Sequence, residues 1–197
     1  MKALHNISYG LYVLTAKTEK MNGCIINTLT QLTSTPKQVA VTVNKDNFTS
    51  QMIEETGIFN VSILDESTTF DLIKRFGFAS GKTTDKFLGF TDFAIADNGV
   101  PYLTKHANAY ISCVVKQKID VGTHVIFVAE VISDVVLGNG ESLTYARYLQ
   151  NVKKPLDSNQ GKWRCRVCGY VYEGENLPTD FICPICKHPA EDFVKEK

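Results

Sequence analysis

The sequence predicts a mainly β chain, an antiparallel barrel with short helices, followed by a small four-cysteine metal domain. Three observations carry this. Val39, Val41 and Val43 alternate with Ala40 and Thr42, the period of two that sends successive side chains to opposite faces of a sheet. Residues 109–118 and 123–137 are rich in Val and Ile and are separated by Asp120-Val121-Gly122, where glycine accepts positive φ, so they read as a hairpin. Cys165, Cys168, Cys183 and Cys186 crowd the C-terminal end, whereas Cys24 and Cys113 are isolated in the body.

The elements follow in order. Residues 1–20 have an apolar stretch broken by His5, Asn6 and Ser8 with no small-residue cleavage site, which predicts neither a signal peptide nor a membrane span. A cytoplasmic, reducing setting is therefore expected, where thiols serve metals or redox chemistry more than disulfides. Residues 27–34 (Asn27-Thr28-Leu29-Thr30-Gln31-Leu32-Thr33-Ser34) form a strand full of amides and hydroxyls. Thr49–Thr56 reads as a helix ending at Gly57, and Ile58–Leu64 as a short apolar strand. Residues 67–78 read as a second helix, with Ser67 as its cap and Phe70, Ile73 and Lys74 at helical spacing. No internal repeat appears. Many strands and few helices in about 150 residues favour a closed or nearly closed antiparallel barrel over a doubly wound sheet. Residues 153–161 contain Pro, Ser, Asn and Gly without apolar periodicity and read as a linker, dividing the chain into domains 1–152 and 162–197.

Composition excludes some function classes. Of 197 residues, 44% are hydrophobic and 21% charged, with 21 Lys+Arg against 21 Asp+Glu, so a basic nucleic-acid-binding surface is not expected. Familiar nucleotide fingerprints also fail. Gly138-Asn139-Gly140 lacks a third glycine and a following helix, and the glycines of residues 77–83 are one residue too close for a phosphate loop.

The two C-x2-C knuckles, separated by residues 169–182, can bring four thiolates to the corners of a tetrahedron, which suits zinc or a single iron. Aromatic residues Trp163, Tyr170, Tyr172, Phe181 and Phe193 supply a small core that a metal would hold together. With residues Cys168-Gly169-Tyr170-Val171-Tyr172-Glu173-Gly174, this tail resembles the rubredoxins, which implies one iron as Fe(Cys)4. Lys187 stands where most rubredoxins carry glycine. Arg164, Arg166 and Lys187 beside the cysteines read as solvated surface or as a docking patch for an acidic redox partner.

In the body, residues 44–50 supply a cation, hydroxyls and a helix N-terminus, a set suited with the polar strand to a phosphorylated planar cofactor. Gly23 through Thr33, Pro36, the strand to Asn44, Thr49, residues 57–61, and Gly122-Thr123-His124 through Val131 together resemble the flavin reductase family of FMN-binding split barrels. That resemblance implies FMN and a homodimer with the flavin near the interface. It places Asn27, Thr28, Leu29 and Gln31 along the isoalloxazine and ribityl chain, and Asn44, Lys45, Asn47 and Thr49 at the phosphate. Ser80, Gly81 and Lys82 would lie in a loop closing over the cofactor. His124 falls at an active-site position by the same resemblance, and equally reads as a strand histidine paired within the barrel. Cys24 reads as a small core residue.

NAD(P)H delivers two electrons as a hydride, whereas Fe(Cys)4 accepts one; flavin takes a hydride and releases electrons singly, so it bridges the two. The whole chain resembles the high-molecular-weight rubredoxins, which implies a relay to a redox partner such as a flavodiiron oxygen or nitric oxide reductase. About seven flexible linker residues span roughly 15 Å r.m.s., enough to keep the iron domain close to the flavin. A flavin reductase with a structural zinc ribbon, and a non-enzymatic carrier reduced by another protein, remain open from sequence.

Overall fold

The computed structural model describes residues 3–152, 163–166, 170–172, 174–183 and 188–195. The expected linker 153–161, with Cys168, Gly169, Cys186 and Lys187, lies outside the described residues. The chain divides into two compact units, Met1–Val152 and Lys153–Lys197.

The first unit is built on strands β1 (Tyr12–Lys17), β2 (Met21–Ile26), β3 (Leu29–Ser34), β4 (Lys37–Asn44), β5 (Ile58–Leu64), β6 (Phe93–Ile95), β7 (Pro101–Leu103), β8 (Ala107–Asp120) and β9 (His124–Val136). Seven form one sheet in the order β2-β1-β5-β8-β9-β4-β3, and every pairing is antiparallel. Its margins, β2 and β3, are consecutive in sequence and joined only by Asn27 and Thr28, so the sheet must curl until its edges meet at that corner. Among the described residues no ladder joins β2 to β3, and the seam stays open. Thr28 fastens the corner to β4 instead: its hydroxyl donates to the Thr42 carbonyl at 2.7 Å and its carbonyl accepts from the Thr42 N–H. The result is the mainly β split barrel expected from sequence.

Alternation sorts the side chains. Leu14, Val39, Val41, Val43, Phe59, Val61, Cys113, Val125, Phe127 and Ala129 are buried inside the barrel, and helix α1 (Phe48–Thr56) adds Met52 and Ile53 to this core. The helix starts where Asn47 caps it, its Oδ1 accepting the Thr49 N–H at 3.1 Å, and stops at Gly57, whose φ of 70° no β-branched residue would hold. The hairpin turn likewise uses Gly122 at φ 87°.

The second predicted helix differs. Thr69, not Ser67, caps α2 (Phe70–Ile73), accepting the Leu72 N–H at 3.3 Å, and residues 74–78 widen into a π-type turn. Ser67 instead donates to Asp65, two residues back, in a local turn. Lys74 is exposed and paired with Asp71; Phe76, not Lys74, is the buried residue that seats the segment.

A second core lies against the other face of β1 and β5, with Leu11, Val13, Leu64, Leu72, Phe76, Phe87 and Leu103 buried. Phe76 meets Phe87 and Phe90 edge-on, each with centroids 5.5 Å apart. Asn60, fully buried, donates to the Val100 carbonyl at 2.8 Å and accepts from Asn98, which ties the β6–β7 hairpin to β5.

Cys113 is wholly enclosed in the barrel, and burial pushes its thiol up to about 12. Because the folded value lies above the ordinary one, the stabilisation is complete below about pH 9 and is lost as pH rises toward 12, about 1.4 kcal/mol by pH 10. Chemical denaturation at pH 8 and pH 10 should therefore show a smaller alkaline loss in Cys113→Val than in the parent chain. Equal losses would remove Cys113 as the source.

In the second unit, β10 (Trp163–Cys165) lies between β11 (Val171–Tyr172) and β12 (Phe193–Lys195). Its core joins Cys165, Cys183 and Phe193 with Trp163, Tyr170, Tyr172, Leu177 and Phe181, the aromatic set expected from sequence. Among the described residues no helix is long and apolar enough to cross a membrane.

Candidate functional site

The sequence-predicted residues of the first unit fall into three places. One is the first turn of α1. Asn44 ends β4, its Oδ1 accepting the Asp46 N–H at 2.8 Å, and its carbonyl accepts from Asn47. Asn47 spends its Oδ1 on the cap, and Thr49, fully buried, accepts from Asn22 Nδ2 at 2.9 Å. Lys45 is drawn toward the hairpin turn, with Nζ 2.6 Å from the Asp120 carboxylate; that hydrogen bond holds the Asp120 carboxyl below its ordinary value. His124 pairs with Asn44 across β9 and β4, its Nδ1 2.8 Å from the Thr123 hydroxyl.

The second place is the outer face of the sheet. Since Val39, Val41 and Val43 point inward, Ala40, Thr42 and Asn44 point outward, alongside Thr28 and Thr30 of the neighbouring strand and Val128, Ile126 and His124 on the other side. These side chains, half-buried except for the exposed Thr30, form an outward strip that leads along β4 to the α1 turn.

Leu29 and Gln31 do not share that strip. Register opposite Val41 and Val39 turns them to the inner face, where they line a cavity of about 440 Å³ with Tyr12, Ile63, Ile111 and Val131. Asn27 sits half-buried in the β2–β3 link. Ser80, Gly81 and Lys82 form a turn in which the Ser80 carbonyl accepts from Thr83 and Thr84. This turn rests on Asn22 so closely that a Cβ on Gly81 would lie 2.4 Å from the Asn22 amide. The loop is thereby brought to the side chain that holds Thr49.

Three residues of this corner were not singled out from sequence. Asn22 and Ser50 are each 1% exposed, and Lys86 is 3% exposed. A buried Asn between Met and Gly and a Lys after Asp look like ordinary polar surface, and only the tertiary fold encloses them. Among the described residues the Ser50 hydroxyl, on the first turn of α1, has no hydrogen-bond partner. An enclosed hydroxyl without a partner costs stability, and at a helix N-terminus it suits an anion acceptor. Residues here thus fit a phosphorylated cofactor. Cys24 is a core residue as expected, and burial pushes its thiol up.

In the second unit Cys165 and Cys183 are both fully buried. The Cys165 N–H donates to the Tyr170 carbonyl at 2.9 Å and the Cys183 N–H to the His188 carbonyl at 2.8 Å. Two buried cysteine side chains sharing one small aromatic core suit a thiolate-bound metal. The other two cysteines, Cys168 and Cys186, lie outside the described residues.

Residues 4–151 match the family described as flavin reductase like domain. The chain belongs to that family. Residues 163–194 match the rubrerythrin, rubredoxin-like domain, so a flavin reductase like domain is joined to a rubredoxin-like one. The chain is 37% identical to the high molecular weight rubredoxin of Moorella thermoacetica, over 98% of this chain and 97% of that one. It is 43% identical to the ferric-chelate reductase (NAD(P)H) of Archaeoglobus fulgidus, over 75% of this chain and 88% of the other. The flavin reductase like fold also superposes on an NADH:FAD oxidoreductase of Streptomyces globisporus with a TM-score of 0.66 at 23% identity, covering 73% of this chain and 84% of that one. The chain is thus a flavin reductase like oxidoreductase fused to an electron-transfer domain.

Proposed function

We propose that this chain is an NAD(P)H-dependent electron-transfer flavoprotein of the rubredoxin-reducing kind. It takes electrons from NADH or NADPH and delivers them to a redox partner protein, such as a flavodiiron oxygen or nitric oxide reductase. The observation that carries this is the joining, in one chain, of a two-electron flavin reductase like domain to a one-electron rubredoxin-like domain. Likeness over nearly full length to a high molecular weight rubredoxin supports it, as does likeness of the first domain to an NAD(P)H ferric-chelate reductase.

FMN would supply hydride acceptance and single-electron release, and one Fe(Cys)4 centre the onward one-electron step. The chain's own residues position these groups. The outward strip of Thr28, Ala40, Thr42 and Ile126 would hold the flavin ring, with Asn27 beside it at the β2–β3 corner. Asn44, Asn47, Thr49 and the first N–H groups of α1 receive the phosphate, with Lys45 at the rim and Ser80, Gly81 and Lys82 above. Leu29 and Gln31 support the strip from its inner side. His124, beside Asn44, faces the same strip and is the group placed to orient the nicotinamide or the ring. Cys165, Cys168, Cys183 and Cys186 hold the iron, and aromatic rings around Cys165 and Cys183 keep water from it.

Residues 153–161 act as the tether, and the working assembly is a cytoplasmic homodimer; Ile132 and Val136, more than half exposed on β9, supply apolar surface for a partner copy. Anaerobic mixing with NADH and with NADPH tests the reading. A flavin band should bleach first and ferric-thiolate absorption second, at a rate for the second phase that does not depend on protein concentration. A second phase rising linearly with concentration would exclude the tethered relay, and a chain purified with neither band would exclude the function.

A further inference from the structure

Lys86 is enclosed, 3% exposed, and its Nζ donates to the carbonyls of Gly23 at 2.8 Å and Phe76 at 2.9 Å. Among the described residues no carboxylate is paired with it. The adjacent Asp85 turns its carboxylate to the N–H groups of Phe87 and Leu88. Burial pulls the ammonium below the ordinary lysine value, and the group nearest in charge, the Cys24 thiol, is itself pushed up by burial and stays neutral. An interior ammonium without an anion is costly, because neutral carbonyls do not replace an opposite charge.

Where this ammonium sits tells what anion completes it. Gly23, which it grips, is flanked by the two residues that hold the first turn of α1. Asn22 donates to Thr49, and the buried Cys24 thiol lies beside Thr49 and Asn47. The same turn carries the buried, unpartnered Ser50 hydroxyl. The cation grips the backbone of the strand whose Asn22 holds this turn, and the hydroxyl lies on the turn itself; one phosphomonoester there would complement both. Lys86 reaches that group through its field in a low-dielectric interior, and through Gly23 it also sets where Asn22 lies.

We propose that Lys86 is the buried countercharge for a phosphomonoester at the N-terminus of α1, and that it makes the first domain select FMN over unphosphorylated riboflavin. This rests on the FMN reading above and assigns Lys86 as a positioning residue.

Flavin binding by the full chain, stripped of flavin and titrated by fluorescence quenching, tests it. The parent chain should bind FMN at least about tenfold more tightly than riboflavin. Lys86→Met should weaken FMN about tenfold, leave riboflavin unchanged and so erase the preference, while Lys86→Arg retains it. A Lys86→Met chain that keeps the parent preference, or that weakens both flavins equally, overturns the proposal while leaving the FMN site standing. A parent chain that binds both flavins alike overturns the phosphate reading and the proposal with it. Should Lys86→Met fail to fold, the 15Nζ resonance of Lys86 in the parent chain, identified by its absence in Lys86→Arg, decides. It should shift with FMN and not with riboflavin, and an equal response to both, or none, counts against Lys86.

Discussion

Replacing Cys165 or Cys183 by serine in the full chain is expected to cut NAD(P)H-driven reduction of an external acceptor protein about a hundredfold or more. Bound flavin, and its bleaching by NAD(P)H, should be untouched. The size of the effect follows from how little else holds the second unit together. Among the described residues its core consists of one buried phenylalanine, two buried cysteines and a handful of half-buried rings, on three strands of two or three residues each. Domains below about 40 residues rarely bury enough apolar surface to fold unaided, and a structural metal then supplies about 10 kcal/mol or more of folding free energy. A serine oxygen at either position removes a soft thiolate ligand, so both the centre and its surroundings are lost together. The first unit has two hydrophobic cores of its own. Metal content by atomic emission, flavin bleaching and acceptor turnover, measured on the same preparations, separate the two units. Full turnover in a metal-free variant would show that electrons leave directly from the flavin. Loss of flavin in the variant would show that the units do not stand independently.

Much of this was legible because it depends on local periodicity or on spacing. The valine alternation of residues 39–43 became β4, Ile58–Leu64 became β5 with the same bounds, and the Val/Ile-rich pair around Asp120-Val121-Gly122 became the β8–β9 hairpin, with β8 two residues longer at each end and β9 one residue shorter at each end. These segments carry their own signal: strict alternation or a glycine where the backbone turns. Strands β1 and β2 carry less, because Val13, Leu14, Thr15 and Ala16 are all buried, so β1 has no polar face to alternate with. The cap of α2 was misplaced because Ser67 and Thr69 are both competent caps. Only the contact of Phe76 with the second core fixes which of them starts the helix. Among site residues, side-chain type identified the polar strand and the α1 turn, but a one-residue alternation divides Thr28 from Leu29, sending one to the outer strip and the other to the inner cavity. Lys86, Asn22 and Ser50 were illegible for a different reason. Each is polar, and nothing nearby in sequence foretells its burial; enclosure comes from contacts such as Lys86 with Gly23, 63 residues apart.

Those long-range contacts give the last expectation: Phe76→Ala should cost about 3–5 kcal/mol of stability and, beyond that, weaken FMN binding where an equally destabilising change elsewhere does not. Phe76 is fully buried and fills the space beneath β2: a Cβ on Gly23 would sit 3.0 Å from its ring, so backbone and ring are already in contact. Its ring also packs edge-on against Phe87 and Phe90, which hold the loop following Ser80, Gly81 and Lys82. Its carbonyl is one of the two that anchor Lys86, and Arg75 next to it donates to the Lys86 carbonyl at 3.0 Å. Removing the ring opens a cavity directly under Gly23, which lets β2 and the loop relax together, and with them Asn22 and the first turn of α1. Leu103→Ala is the matched control. Leu103 is equally buried in the same second core, on β7 and away from β2, and its truncation costs about 2–5 kcal/mol. With denaturant unfolding setting the two variants on a common stability scale, titration with FMN well below either midpoint reads the difference. Phe76→Ala should show the weaker binding, because β2 and the loop proposed to close over the flavin have lost their floor, whereas Leu103→Ala should bind as the parent chain does. If both variants bind FMN equally well, the aromatic cluster stabilises the barrel without shaping its flavin site.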